Sequence, residues 1–170
     1  MAEPVIRLRL DADLDACVAV MREVHLANHY PENWPSDPRE FLLAKDGIAA
    51  WVAVDGGDVV GHVVLSEATT EITELAEIGV TFDAALAGIS RLFVSPRARG
   101  RGVGAALMAA AGSTAAENRR ELILSVVDDG HSTAVPMYEH LGWRYIASLE
   151  ANWTMSNGQR PLMRYYLGPQ

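Results

Sequence analysis

The sequence has few of the features that cross-link a protein or place it in a membrane. It contains a single cysteine, Cys17, in 170 residues, so no internal disulfide can form. No apolar run approaches the roughly 18 residues of a membrane span, and the first residues lack the basic flank and apolar run of a signal peptide. These absences predict a soluble protein of the reducing cytoplasm that has no membrane partner.

Positive charge is the second scarce feature. The chain has 14 Lys and Arg residues against 22 Asp and Glu residues, a formal net charge of -8. A nucleic-acid surface needs clustered cations that displace phosphate counterions, so we expect no nucleic-acid partner. The local exception is Arg97, Arg99 and Arg101, which form a basic cluster in an acidic chain. The acidic surroundings would attract a cationic co-substrate.

The remaining composition is that of an ordinary globular domain. Hydrophobic residues make up 49% of the chain and charged residues 21%. This composition leaves enough apolar surface to fold without disulfides or a structural metal. A length of 170 residues is near the usual size of one domain, and the chain contains no repeat or linker. We therefore predict a single domain over residues 1–170.

The first predicted element is an edge strand over residues 4–10. Polar and apolar side chains alternate there, which predicts that the side carrying Arg7 and Arg9 lies in solvent. Asp11 or Asp13 is placed to cap the helix that follows, in which apolar residues recur at helical spacing.

The rest of the chain alternates predicted strands and helices. Two β-branched runs, 48–54 and 59–65, flank the turn residues Asp55-Gly56-Gly57-Asp58 and predict an antiparallel hairpin. Further strands are predicted over residues 89–94, 121–127, 143–153 and 159–167, the last two joined by Ser156-Asn157-Gly158. Helices are predicted over residues 39–45, in the middle of 66–87, over 102–117 and over 131–141, the last ended by Gly142.

A glycine-rich loop, Arg99-Gly100-Arg101-Gly102-Val103-Gly104, stands between the strand at 89–94 and the next helix. Its glycines let the backbone approach an anion, and the first N–H groups of the helix lack helical partners. The helix dipole and the arginines would complement a phosphate. The alternative is a glycine-rich turn with a solvated basic face. A Walker loop fails because Ala105-Ala106 follows the last glycine, and a dinucleotide fingerprint fails because its third glycine is missing.

Two motifs in this order resemble the GNAT superfamily of N-acetyltransferases. The acyl-CoA motif of that family is a strand, then Gln/Arg-x-x-Gly-x-Gly/Ala, then a helix, and Arg99, Gly102 and Gly104 match it after Leu92-Phe93-Val94. A second family segment is similar to residues 134–143, about 30 residues further on. The resemblance covers nearly the whole chain. It implies an α/β (α+β) fold, with a mixed, mostly antiparallel central sheet of six to seven strands flanked by about four helices.

The resemblance also implies a function. The protein would be an acyltransferase that transfers an acetyl group from acetyl-CoA to the primary amine of a small molecule or a peptide, without a metal. Backbone groups at Phe93 and Val94 would pair with the pantetheine arm. Backbone N–H groups of the glycine loop and the helix start would cradle the pyrophosphate, namely those of Arg99, Gly100, Arg101, Gly102, Val103, Gly104 and Ala105.

The resemblance places two further side chains at the expected site, one in the second motif and one shortly before it. Tyr138 falls on the family's Tyr, and a phenol with a pKa of about 10 can protonate the departing CoA thiolate. The alternative is a core tyrosine on an amphipathic helix. His131 lies where many relatives have an Asn that touches the pantetheine, so it would either contact the cofactor or help to cap the helix.

No general base can be identified from the sequence. Relatives often carry a Glu shortly before the end of the donor strand, where this chain has Gly88 and Ser90. The acids of the preceding segment fit a solvated helical face better: Glu71, Glu74, Glu77 and Asp83. Deprotonation through water, or an amine that binds already neutral, is equally consistent. The missing base motivates an alternative function, a non-catalytic CoA-binding sensor or regulatory module.

Three further features complete the expectations. Cys17 has no motif around it that would activate a thiolate, which favours direct transfer in a ternary complex over an acyl-enzyme. His25 and His29 are four residues apart but lack a third ligand, so we expect no metal there. Four aromatic residues either wall the acceptor pocket or belong to the core: Tyr30, Trp34, Trp51 and Trp153. Many relatives dimerise, so a homodimer is compatible with the resemblance.

Overall fold

The computed structural model describes residues 3–128 and 134–170, which contain seven strands and five α-helices. The strands are β1 (Val5–Leu8), β2 (Gly47–Asp55), β3 (Asp58–Glu67), β4 (Leu86–Val94), β5 (Glu121–Asp128), β6 (Arg144–Glu150) and β7 (Leu162–Leu167). The α-helices are α1 (Leu14–Asn28), α2 (Pro38–Leu43), α3 (Thr69–Ala76), α4 (Val103–Glu117) and α5 (Ala134–His140). In the part of the chain described, no helix is long and apolar enough to cross a membrane.

The strands form one sheet in the order β1-β2-β3-β4-β5-β7-β6. Strand pairs β1/β2, β2/β3, β5/β7 and β6/β7 are antiparallel, whereas β4 and β5 run parallel. The predicted fold class, a mixed and mostly antiparallel sheet, is therefore confirmed, with five α-helices in the described residues rather than about four. The predicted β2–β3 hairpin and the edge position of β1 are also confirmed.

The chain divides into two compact units, and the prediction of a single domain stays a prediction. The first unit runs to Ser66 and continues over Ile89–Thr114, and the second comprises Glu67–Gly88 and Ala115–Gln170. Both β4 and α4 contribute residues to each unit.

The core of the first unit forms where α1 buries one face. That face packs with Leu42 of α2, Val52 of β2 and Phe93 of β4, and its own buried residues are Leu14, Cys17, Val20, Met21 and Val24. The spacing of three and four residues places these side chains on one side of the helix, as the sequence predicted. Tyr30 and Trp34, from the loop after α1, pack against the same core.

The orientation predicted for β1 holds at Val5, which is 61% exposed, and fails at Leu8 and beyond it at Leu10. Leu8 and Leu10 are each 58% exposed, while the side that carries Arg7 and Arg9 faces polar partners within the first unit. The guanidinium of Arg7 donates two hydrogen bonds to Asp13, at 2.7 and 2.9 Å. The Asp13 carboxylate also accepts from the backbone N–H of Leu10, so it closes the turn before α1 instead of capping the helix.

The core of the second unit lies between α3, β5 and β7. Its buried residues come from these elements, from the residue just before α3 and from the start of β4: Ala68, Leu75, Leu86, Ile123, Tyr165 and Leu167. Helix α5 ends at Gly142, whose φ of 88° lets the N–H of Trp143 bond to the carbonyl of Tyr138 at 3.0 Å. This is the Schellman pattern expected of a glycine after a helix. The predicted strands 143–153 and 159–167 are shorter in the structure, at Arg144–Glu150 and Leu162–Leu167.

Candidate active site

The end of β4 is fixed firmly to its neighbours in the first unit. Phe93 is buried and Val94 half-buried. The next residue, Ser95, is fully buried, and its N–H donates to the carbonyl of Val60 at 2.8 Å. The Ser95 hydroxyl donates to Oε2 of Glu23 on α1 at 2.7 Å. The strand that would receive the pantetheine therefore ends at a defined position.

Two residues of the glycine loop have a left-handed backbone conformation. Gly100 and Gly102 have φ values of 77° and 75°, in the left-handed region that residues with side chains rarely adopt. No atom lies within 4 Å of a Cβ built at either position, so conformation and not space requires glycine here. The loop turns the chain from the short helical turn Pro96–Ala98 into α4.

Helix α4 begins immediately after Gly102. The carbonyl of Gly102 accepts the first helical hydrogen bond, from the N–H of Ala106 at 3.0 Å. The N–H groups of Val103, Gly104 and Ala105 consequently precede the first helical donor and have no acceptor within the helix. Such N–H groups and the positive end of the helix dipole bind anions. This geometry suits the predicted pyrophosphate cradle.

Helix α4 packs very closely on β3 at Gly61. A Cβ at Gly61 would lie 3.0 Å from Cδ1 of Leu107, 3.2 Å from Cγ1 of Val103 and 3.3 Å from the carbonyl oxygen of Phe93. Contacts of 3.0 to 3.4 Å are tighter than nine in ten real Cβ contacts, so a side chain at this position would require its neighbours to give way by a few tenths of an ångström. Gly61 stands within the apolar run of β3 and was not among the predicted site residues.

The three arginines of the predicted basic cluster are not equivalent. Arg97 and Arg99 are exposed. Arg101 is half-buried, and its Nη1 donates to Oδ2 of Asp55 at 2.7 Å. Asp55 ends β2, so this ion pair ties the glycine loop to the β2–β3 turn. The charge of Arg101 is thereby largely neutralised within the protein.

A buried histidine that the sequence analysis overlooked lies against β4. The Nδ1 of His62 is 2.8 Å from the carbonyl oxygen of Arg91, and Nε2 is 2.9 Å from Nη1 of Arg9. A carbonyl only accepts and a guanidinium only donates, so the ring is neutral, with its proton on Nδ1. Burial, followed by the nearby cations of Arg9 and Arg91, lowers the pKa of His62 to about 4. The sequence signal that could have identified His62 is a polar residue inside the apolar run of β3.

The aromatic residues near α1 belong to the core of the first unit. The ring of Tyr30 lies 6.3 Å from that of Phe93, and burial raises the pKa of the Tyr30 phenol. Trp34 packs between the ring of His25 at 5.3 Å and the guanidinium of Arg22 at 4.4 Å. Trp51 is buried in β2 and Trp153 is half-buried in the second unit.

Tyr138 lies within α5, in the second unit. It is 7% exposed, and its ring packs against Trp143 at 5.8 Å and Tyr166 at 6.2 Å between centroids. The Tyr166 hydroxyl donates to Oε1 of Glu139 at 3.2 Å, which fixes this aromatic cluster. Its neighbours therefore hold the Tyr138 ring in one orientation. Such packing is expected both of a general acid and of a core tyrosine. His131 lies outside the described residues.

The carboxylates considered as bases have varied surroundings. Glu74 accepts a hydrogen bond from the buried hydroxyl of Tyr165, whose pKa is raised by burial and by this contact. Glu77 and Asp83 are exposed, in line with a solvated face. Glu23, which the sequence analysis did not consider, accepts from Ser95 at the end of β4.

Cys17 and His25 are held in structural contacts. Cys17 is fully buried on α1, and burial raises the pKa of its thiol to about 12. The Nδ1 of His25 donates to the carbonyl of Pro31 at 2.7 Å, which removes that nitrogen from metal binding. Within residues 3–128 and 134–170, no group of His, Cys, Asp and Glu side chains is arranged to hold a metal ion.

Strand β4, the central strand of the sheet, ends at a glycine loop, and the first N–H groups of the helix that follows have no acceptor within the helix, an arrangement suited to binding a phosphate. The sequence matches the model of the Acetyltransferase (GNAT) family over residues 18–143. The chain therefore belongs to the GNAT family and is an acyltransferase, which confirms the resemblance seen in its motifs. A search of curated protein sequences finds no match.

Solved structures share this fold along almost the whole chain. Arabidopsis thaliana NAA60 in complex with acetyl-CoA has a TM-score of 0.72 at 20% identity, covering 96% of this chain and 97% of that one. Ard1 from Thermoplasma volcanium has a TM-score of 0.70 at 21% identity and covers 99% and 100%. The Drosophila melanogaster polyamine N-acetyltransferase has a TM-score of 0.67 at 17% identity and covers 97% and 99%. At these identities, the likeness establishes the fold.

Proposed function

We propose that the protein transfers an acetyl group from acetyl-CoA to a primary amine, by direct attack of the amine on the thioester in a ternary complex. The observation that carries this proposal is the backbone geometry at Gly100–Ala105. Two glycines with positive φ lead into the start of α4, directly after the firmly anchored end of β4. This segment lies within residues 18–143, which match the GNAT family, and it would bind the donor.

The donor would lie along β4 and the start of α4. Backbone groups of Phe93 and Val94 would pair with the pantetheine arm. The N–H groups of Arg99–Ala105 would bind the pyrophosphate, because main-chain donors at a helix start bind anions without requiring lysines. Arg97 and Arg99, which are exposed, can add charge around the phosphates. His131 would contact the same cofactor.

The reaction needs one proton to leave the amine and one to reach the sulfur. The neutral amine nitrogen attacks the thioester carbonyl, the tetrahedral adduct collapses, and the C–S bond breaks to release the CoA thiolate. Tyr138 would donate its phenolic proton to that thiolate. The amine proton would pass to water or to a carboxylate. Correct placement of the thioester and the amine would supply much of the rate enhancement.

The buried Cys17 supports direct transfer over an acyl-enzyme. An acyl-cysteine requires a thiolate that can reach the thioester, and the pKa of about 12 keeps Cys17 protonated at neutral pH. It is also fully buried among the side chains of the first unit.

The acceptor is proposed only as a class. Structures with this fold include N-acetyltransferases whose names refer to polyamines and to alanine of a ribosomal protein. The net charge of -8 favours a cationic acceptor for this chain, because a negative field concentrates cations near the protein.

The alternative function is a CoA-binding module without turnover, and one experiment separates it from the enzyme. The purified protein is mixed with acetyl-CoA and a panel of polyamines, amino acids and peptides that have free N-termini, and release of the CoA thiol is followed. Thiol release that depends on the amine supports the acetyltransferase. Tight binding of acetyl-CoA with no release across the panel supports the module, and no binding would refute both functions.

A further inference from the structure

His62 lies between β4 and the residue Arg9 in the first unit. It belongs to β3, and its two ring nitrogens face Arg9, just after β1, and the carbonyl of Arg91 on β4. Its ring stacks on that of Phe93, with centroids 5.0 Å apart and an angle of 17° between the planes. The side chain is fully buried, so each of these contacts is shielded from water. Nothing in the proposed chemistry uses this histidine.

Arg91 is the unusual residue of β4. Its φ of 51° places a non-glycine residue in the left-handed region within a strand, so the regular strand geometry is broken at this point. Such conformations persist where the surroundings hold them. The carbonyl of Arg91 accepts from His62, and its Nε donates to the carbonyl of Phe41 at 3.1 Å. The guanidinium also lies 3.9 Å from the centroid of the Phe41 ring.

The same two arginines hold the end of α2. The last carbonyls of a helix lack helical partners, and cations stabilise this end of the helix dipole. Arg91 donates to the carbonyl of Phe41, and Arg9 donates to the carbonyl of Leu42 at 2.8 Å. His62 joins the two arginines, because it accepts from Arg9 and donates to the carbonyl of Arg91. The network therefore links α2 to the irregular position of β4.

We propose that His62 is a positioning residue for the donor strand, holding the backbone of Arg91 and the ring of Phe93 in the arrangement that binds acetyl-CoA. The proposal rests on the proposed function, in which Phe93 and Val94 pair with the pantetheine. The contact that matters is the Nδ1–H donated to the carbonyl of Arg91. The contact of Nε2 with Arg9 serves to keep the proton on Nδ1.

The charges around the ring support this assignment. The charged groups that act on His62 are Arg9, after β1, and Arg91, on β4, and both disfavour an imidazolium. Two acidic groups face these arginines. The Cys17 thiol of α1 interacts electrostatically with Arg9, and the Tyr30 phenol interacts with Arg91. The pKa of each of these groups is raised. Neither supplies a negative charge that would stabilise a protonated ring. His62 thus keeps one donor and one acceptor at neutral pH.

Two polar variants of His62 test whether its hydrogen bond to Arg91 positions β4 or whether the ring only fills space in the core. In His62→Asn, the amide nitrogen can take the place of Nδ1 and donate to the carbonyl of Arg91. In His62→Gln, the amide reaches the position of Nε2, where it can accept from Arg9 but leaves the carbonyl of Arg91 without its donor. We expect His62→Asn to bind acetyl-CoA within about threefold of the wild type and His62→Gln to bind at least about tenfold more weakly.

The measurement is calorimetric titration with acetyl-CoA, at a temperature at which circular dichroism shows both variants to be folded. An equal loss of affinity in both variants, or no loss in either, would overturn the proposal. A wild-type protein that fails to bind acetyl-CoA would instead refute the proposed function, so the two failures are distinguishable. An independent measurement uses only the wild-type protein. The imidazole ¹⁵N spectrum of the wild type should show a protonated Nδ1 and an unprotonated Nε2 at His62 from pH 8 to about pH 5, and the opposite tautomer would also overturn the proposal.

Discussion

Arg101 of the glycine loop donates a hydrogen bond to Asp55 at the end of β2, with Nη1 and Oδ2 2.7 Å apart. Their side chains are 25% and 31% exposed, and ion pairs so open to water contribute about 1 kcal/mol or less to stability. The pair therefore has a larger effect on the electrostatic potential of the loop than on folding. A carboxylate beside the expected phosphate site reduces the attraction of that site for an anion.

The first prediction concerns this pair. Asp55→Asn keeps a hydrogen-bond acceptor for Arg101 but removes the negative charge, so acetyl-CoA should bind roughly three- to tenfold more tightly at low salt. Asp58→Asn is the control, because it removes the same charge from an exposed residue of the same turn. If both variants gain equally, the effect comes from net charge and not from Asp55. Isothermal titration at two salt concentrations makes the measurement, and the gain should shrink at high salt.

The second prediction tests the close packing at Gly61. In Gly61→Ala, the added methyl group meets Leu107, Val103 and the carbonyl of Phe93 at 3.0 to 3.3 Å, so these neighbours must give way by a few tenths of an ångström. We expect a loss of about 1 to 3 kcal/mol in the free energy of unfolding. We also expect acetyl-CoA to bind at least about fivefold more weakly, because the N–H groups at the start of α4 move relative to β4.

The double variant Gly61→Ala/Leu107→Val is the matched control. Shortening Leu107 removes the atom that lies nearest to the new methyl group, so part of both losses should be recovered. Urea unfolding and acetyl-CoA titration measure the two quantities on the same samples. If acetyl-CoA affinity is unchanged in Gly61→Ala while stability falls, the spacing between α4 and β4 does not control donor binding.

Much of the fold could be predicted because its signals are local. The β2–β3 hairpin follows from two β-branched runs and the turn Asp55-Gly56-Gly57-Asp58, all within 20 residues. The positive φ angles of Gly100 and Gly102 are conformations that glycine permits without strain. In each case, the residues that specify the conformation are sequence neighbours.

The failures depend on partners that are distant in sequence. Polar and apolar residues alternate in β1 with the same period whichever side of the strand faces inward. The partner of Arg9 is His62, 53 residues away, so the sequence pattern of β1 could not reveal this contact. The sequence predicted that Arg101 would complement a phosphate. Its ion-pair partner Asp55 lies 46 residues earlier in the chain, so the residues around Arg101 carried no sign of this contact. Charge placement in the site is thus a tertiary property, whereas the backbone conformation of the glycine loop is a local one.

The third prediction concerns Cys17. With a pKa of about 12, only about one thiol in 10⁴ is ionised at pH 8, and the side chain is fully buried. Native protein treated with iodoacetamide at pH 8 should keep its activity and show no modification of Cys17 by mass spectrometry. Cys17→Ala should lose about 1 kcal/mol of stability and keep its kcat. Rapid inactivation by the reagent, or a large fall in kcat, would favour an acyl-enzyme.

The fourth prediction concerns the acceptor. If the net charge of -8 attracts a cationic acceptor, the KM of a polyamine should rise with salt. We expect an increase of about threefold or more between roughly 0.01 and 0.15 M salt, as the Debye length falls from about 30 Å to about 8 Å. A peptide acceptor whose only cation is its N-terminus is the control and should respond less. Equal salt dependence for both acceptors would argue against electrostatic selection.

The last prediction concerns Tyr138 as the acid. Tyr138→Phe keeps the ring that packs against Trp143 and Tyr166 and removes only the hydroxyl. Loss of a general acid should lower kcat by about 100-fold, while the dissociation constant of acetyl-CoA changes less than about twofold. Tyr166→Phe is the matched control, because it removes the hydroxyl of a buried tyrosine in the same cluster, one that donates to Glu139. Its kcat should stay within about threefold of the wild type. If the two variants lose activity to the same extent, the hydroxyl of Tyr138 contributes to packing and not to proton transfer.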